Sequence, residues 1–162
     1  MPDIYKSKTI TIQKKDLFFD IDALSLTYTK ANGNDVVKAN AISTDSLSAM
    51  EMRVLTRLMD RRVAELRDLM RRILTTATVS NAVTNALDSG TSYSFALTVT
   101  VEVEDNTLDS IAKLMHDYIV KGTLADWYAD VGAGNSESLA ARARDSYDRI
   151  KELIYYKPFP AS

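Results

Sequence analysis

The chain has no cysteine. Disulfides, thiolate nucleophiles and cysteine-bound zinc are therefore excluded. Histidine occurs once, at His116, and the neighbouring Asp117 does not complete a metal set. His116 reads as a partly buried polar residue of a helix rather than a catalytic base. Glycine and proline are sparse, 5 and 3 in 162 residues, so long elements have few places to break. No apolar run approaches the roughly 20 residues of a membrane helix. The opening Met1-Pro2-Asp3-Ile4-Tyr5-Lys6 lacks the basic-then-apolar order of a signal peptide. The expectation is a protein made in the cytoplasm that works without a membrane. A net charge of −2 gives no bulk attraction to nucleic acid.

Catalytic patterns are missing too. Gly132-Ala133-Gly134 follows a helix, whereas a phosphate-binding glycine loop follows a strand. Asp20 and Asp22 are two apart on a helix and diverge. Asp126 and Asp130 share a face, which reads as solvated. The many serines and threonines have no base nearby in sequence to activate them. The expectation is a protein with no catalytic site, no cofactor and no metal.

What is present is an ordinary globular composition, 46% apolar and 26% charged. The reading is one domain over 1–162, with an extended segment at 1–13 and a tail at 158–162. The expected fold is mainly α with a small β element. Helices are placed at 14–31, 44–75, 107–131 and 136–157, with a strand or hairpin arm around 91–104.

The helices follow from apolar spacing. Leu17, Phe18, Ile21, Leu24 and Tyr28 recur at three and four, and Asn32-Gly33 can end that helix. The longest pattern, 44–75, carries Leu47, Met50, Val54, Leu55, Leu58, Met59, Leu66, Leu69, Met70 and Ile73 on one stripe. Ser48 and Glu51 have capping-box spacing at its start. Asp105-Asn106-Thr107 can cap the third helix and Asn135 or Ser136 the last, which Lys157-Pro158 stops. Gly122 interrupts a helical pattern at a cost of about 1 kcal/mol. Close packing, a kink or a break would each account for it.

The clearest local pattern is a strand. Tyr93, Phe95, Leu97, Val99, Val101 and Val103 alternate with polar or small residues, so one face is buried. Its backbone needs partners along its whole length. Residues 9–12 (Thr9-Ile10-Thr11-Ile12) suit only a short strand, and 76–84 could form a hairpin arm. Two readings stay open. One is pairing between subunits through this strand. The other is a three-stranded sheet within one chain, packed on the helices.

Two surface features stand out. Arg53, Arg57 and Arg61 lie at four-residue intervals, a face able to meet phosphates in a DNA passage. Glu51, Asp60, Glu65 and Asp68 are interleaved with them, so a solvated or salt-bridged face is the preferred reading. At the C-terminus Phe159 stands between Pro158 and Pro160, a stiff tail able to anchor in a neighbour. Trp127, Tyr128, Tyr155 and Tyr156 read as a local aromatic core.

Four segments carry a family resemblance. They are Ile111-Ala112-Lys113-Leu114-Met115-His116-Asp117-Tyr118-Ile119-Val120, Leu124-Ala125-Asp126-Trp127-Tyr128, Ala140-Ala141-Arg142-Ala143-Arg144 and Ile150-Lys151-Glu152-Leu153-Ile154-Tyr155. Together, over about 107–160, they resemble small structural proteins from the head–tail gene clusters of tailed phages of gut Bacteroidales, in particular connector or ring-forming subunits. The resemblance implies a helical virion protein at the neck that forms homo-oligomeric rings, commonly twelve-fold, between portal and tail. It implies extended arms or strands joining neighbours, no catalysis, and DNA met only as it passes through a channel. A small α+β regulatory or ligand-binding domain, or another tail or capsid accessory protein, are the alternatives.

Overall fold

The structure, a computed structural model, describes residues 4–32, 47–75, 91–131 and 136–155. Tyr28's side chain, the loop at 34–43, the stretch 76–90, the break at 132–134, and Tyr156 and Phe159 of the tail lie outside the described residues. The element order is β1 (Tyr5–Gln13), α1 (Lys14–Asn32), α2 (Ala49–Leu69), β2 (Ser92–Thr100), α3 (Asp105–Val131) and α4 (Ser136–Tyr155). The fold is mainly α with a small β element, as the pattern predicts.

The boundaries show what local sequence controls. At α2 the capping box forms in full: the Ser48 hydroxyl accepts from the Glu51 N–H, and Glu51 Oε1 accepts from the Ser48 N–H, each at 3.2 Å. The helix therefore starts at Ala49, not at Thr44. It also stops early, at Leu69 rather than 75. The next turn leads the Ile73 carbonyl and the Thr75 N–H into backbone bonds with β2, which the helix would deny them. At α3 the residues expected to cap, Asp105 to Thr107, are already helical, and the Glu104 carbonyl accepts from Thr107 and Leu108.

β1 and β2 run antiparallel in register from Tyr5↔Thr100 to Gln13↔Ser92. On the inner face Ile10 opposes Phe95 and Ile12 opposes Tyr93, and all four are buried. The outer face carries Ser7, Thr9, Thr11, Ser94, Ala96 and Thr98, all small. The sheet thus has one apolar face to cover, and the helices cover it. α3 is the hub, packed on α1, α2, α4 and β1. Its Ile111, Met115, Ile119, Leu124 and Tyr128 join Leu17 and Ile21 of α1, Met59, Val63 and Leu66 of α2, and Leu139, Ala143, Ile150 and Ile154 of α4 in one core.

Two strand expectations need correction. The expected strand at 91–104 ends at Thr100; Val101 lies in a turn and is exposed, while Val103 is buried outside the strand. The short strand expected at 9–12 is the nine-residue β1, a full-length partner. Lys6 and Lys8 obscured it, since they fall on the inner face. Lys6 escapes burial by donating to the Val103 carbonyl at 2.6 Å, and Lys8 by pairing with Asp105 at 3.3 Å.

One buried group is poorly served. Thr123 of α3 is fully buried, and its hydroxyl has no hydrogen-bond partner among the described residues. A buried hydroxyl without a bond carries a desolvation cost of about 1–3 kcal/mol. Thr123→Val keeps the shape and removes that cost. It should raise stability by about 1 kcal/mol, read as a higher urea midpoint at unchanged slope.

Candidate functional site

Tyr93, Phe95, Leu97 and Val99 are buried within their own chain, so their side chains are not a docking face. α2 closes over them with polar groups. The Tyr93 hydroxyl donates to Asp60, and the Arg67 guanidinium lies over the Phe95 ring at 4.5 Å. Lys14, also buried, places its ammonium 4.8 Å from the Tyr93 ring centre.

The backbone of β2 is occupied on both sides. Lys14 N–H donates to the Thr91 carbonyl and Val101 N–H to the Ile4 carbonyl, each at 3.0 Å. These bonds fix the alternation: odd residues of β2 point their backbone at β1, and even residues point the other way. On that other side Thr98 N–H donates to Ile73 at 2.7 Å, and Thr75 N–H donates to Ala96 at 2.8 Å. Thr75 and Thr98 also join through their hydroxyls at 3.0 Å. Among the described residues β2 is thus bonded to its own chain along one whole edge and, on the other, at the Ala96 carbonyl and the Thr98 N–H. The same alternation assigns the open edge to β1. There Tyr5, Ser7, Thr9, Thr11 and Gln13 aim their N–H and C=O groups away from β2, and no described strand meets them.

A second cluster joins α2 to α3. Arg62 makes a two-point pair with Asp126, Nε to Oδ2 at 3.0 Å and Nη2 to Oδ1 at 2.8 Å. Its Nη1 reaches Tyr118 Oη at 3.1 Å and Glu65 at 3.4 Å, and the Tyr118 hydroxyl donates to Glu65. Burial opposes the charge on Arg62, but Asp126 and Tyr118 outweigh it and hold the guanidinium pKa above its ordinary value. The Tyr118 phenol is pushed up to about 12, by burial first and by its bond to Glu65. Asp126 is thus the partner in a part-buried ion pair, not a solvated carboxylate as its sequence position implies. Here too lies the reason for Gly122. A Cβ at that position would sit 2.7 Å from Arg62 Nε, so the glycine is the space through which Arg62 reaches Asp126.

Beside this cluster an open groove of about 380 Å³ is lined by Arg62, Glu65, Asp68, Tyr118, Ala140, Arg144 and Tyr147. Its charged groups bond to one another or to neighbours: Asp68 takes Arg71, and Arg144 pairs with Asp148 at 3.5 Å. The geometry is a clamp between helices rather than a set of donors aimed at a guest. His116 is placed as expected, part-buried on α3 with its Nε2 against Asp20 of α1 at 2.5 Å. Trp127 packs partly buried against the core and Tyr128 is buried in it, whereas Tyr155 is exposed with Arg72 over its ring at 5.2 Å. Among the described residues no group of His, Asp or Glu could hold a metal ion, and no helix is long and apolar enough to cross a membrane.

The arginine face behaves differently from the clamp. Arg53, Arg57 and Arg61 are all exposed. The acids interleaved with them are engaged elsewhere: Glu51 in the cap, Asp60 on Tyr93, Glu65 on Arg62 and Tyr118, Asp68 on Arg71. Two of the helix-spaced ion pairs expected here are made, Arg62–Glu65 and Asp68–Arg71, while Arg53, Arg57 and Arg61 make none among the described residues.

The clamp can be tested twice. Gly122→Ala gains about 1 kcal/mol of helix propensity but displaces a locked Arg62. The expected net loss is about 1–2 kcal/mol, with the sign reversed in an Arg62→Ala background, measured by urea unfolding of both pairs. The Tyr118 phenol titrates higher folded than its ordinary value near 10. The stability it contributes is full below that value and lost as pH rises through about 12. The melting temperature should fall over that window, and less steeply in Tyr118→Phe.

No family model, curated protein or solved structure matches this chain.

Proposed function

We propose that the protein is a structural assembly subunit that joins copies of itself into a ring, and that it serves as a head–tail connector in the neck of a tailed phage, between portal and tail. The observation that carries the assembly reading is the open edge of β1. Tyr5, Ser7, Thr9, Thr11 and Gln13 present backbone donors and acceptors on the side away from β2. Such an edge is a template for another chain, and proteins that do not use one usually blunt it. Here the edge is blunted at one end by Lys6 and Lys8, while Thr9 to Gln13 carry no charge. The neck assignment adds the resemblance over 107–160, and DNA enters it only as cargo passing through the ring.

Proline tests the edge directly. Thr9 and Thr11 point their N–H groups outward, so Thr9→Pro and Thr11→Pro remove no bond of the β1–β2 ladder. Wild-type protein should show a discrete multiple of the 18.0 kDa chain by light scattering. The proline variants should keep the helical circular dichroism and lose that mass. A wild type that stays monomeric at the highest concentration reached, alone and with portal protein, overturns the reading.

A further inference from the structure

Two charged faces on this chain have no counterpart among the described residues. The first is the outer face of α2. Arg53, Arg57 and Arg61 rise one turn apart, about 12 Å from first to last, and none has an ion-pair partner among the described residues. Met50 and Val54, expected on the apolar stripe of the helix, are instead exposed on this same face, Met50 at 75%. The second is the corner where β2 turns into α3. Glu102, Glu104 and Asp109 are exposed there, and no ion pair holds them among the described residues; Asp105 beside them is shared with Lys8. Acids at a helix start are favoured by the helix dipole, which accounts for Asp105. It does not account for Glu102, which precedes the helix. This corner also has exposed apolar neighbours: Val101, Tyr5, and Ile4 at 62% exposure.

The two faces match in kind. Each joins free charge of one sign to large apolar side chains left in water. Among the described residues no ion pair connects them. We propose that they bind each other between copies: the arginine face of α2 on one subunit docks on the Glu102–Asp109 corner of the next. This is a head-to-tail contact, which uses two different patches on every subunit and closes into a ring when the rotation between neighbours allows it. Met50 and Val54 would then meet Ile4, Tyr5 and Val101, so that apolar burial supplies affinity while charge fixes register and direction. The proposal rests on the self-assembly reading and names the surfaces that reading leaves open. A phosphate backbone is the competing occupant of the arginines. It leaves the acidic corner and the exposed apolar residues without a role, and the net charge of −2 opposes it.

Charge reversal separates these possibilities. R57E/R61E disables one face and E104K/D109K the other, with helical content checked by circular dichroism. Each variant alone should lose the ring, with the assembly constant falling at least tenfold. An equimolar mixture should recover rings of alternating variants, because each contact then joins opposite charges, native at one interface and reversed at the next. All four substitutions in one chain should restore assembly to within a few fold of wild type. Higher salt should weaken the wild-type ring. A ring of unchanged mass in both variants overturns this interface and leaves the self-assembly reading standing. A wild type that never assembles overturns both. Wild-type retention of duplex DNA that R57E/R61E abolishes, with E104K/D109K assembling normally, overturns the proposal in favour of phosphate.

Discussion

The backbone of β2 has two edges to satisfy, and much of the structure follows from how the chain does it. On one side it recruits residues 5–13 over their whole length, which brings the start of the chain beside its centre. On the other it takes Ile73 to Thr75, which ends α2 at Leu69 and sets where the helix lies against the sheet. With β2 held from both sides, its odd residues become a buried row, and α2 and α3 are drawn over it. The same pairing turns the other edge of β1 outward, where no described strand meets it. The surface available to a neighbour is thus a consequence of how the interior is paired.

The polar clamp between α2 and α3 works by a different rule. Arg62 is largely withdrawn from water, which is unfavourable unless its donors are matched. Asp126, Tyr118 and Glu65 match them, and Gly122 gives the guanidinium its path. Glu65 and Asp68 are committed to this region and its neighbours, and Glu51 and Asp60 to the cap and to Tyr93. The arginines at 53, 57 and 61 are left over. Internal bonding of the acids and external freedom of the arginines are one fact seen from two sides.

α2 carries such a face on a fold whose β1 edge meets no second described strand. Tyr93, Phe95, Leu97 and Val99 of β2 turn their side chains into the core. The outer edge of β1 and the charged faces are polar or mixed surfaces, built from residues that the core does not use.

The sequence by itself determined the elements whose causes are local. Apolar spacing set the helices, the Ser48–Glu51 box set the start of α2, and alternation from Tyr93 to Val99 set β2 and its buried face. Each depends on residues within a turn or two of one another. Only the tertiary structure decided the partners. β1 was hidden because Lys6 and Lys8 sit where apolar residues would normally mark a strand's inner face, and their escape routes, Val103 and Asp105, lie far along the chain. Gly122 could be flagged but not explained, since Arg62 is distant in sequence and no spacing rule links them. Asp126 looked solvated for the same reason. The arginine stripe was legible as a pattern, but whether it was paired depended on where four acids went, and that is settled by packing across helices rather than along one.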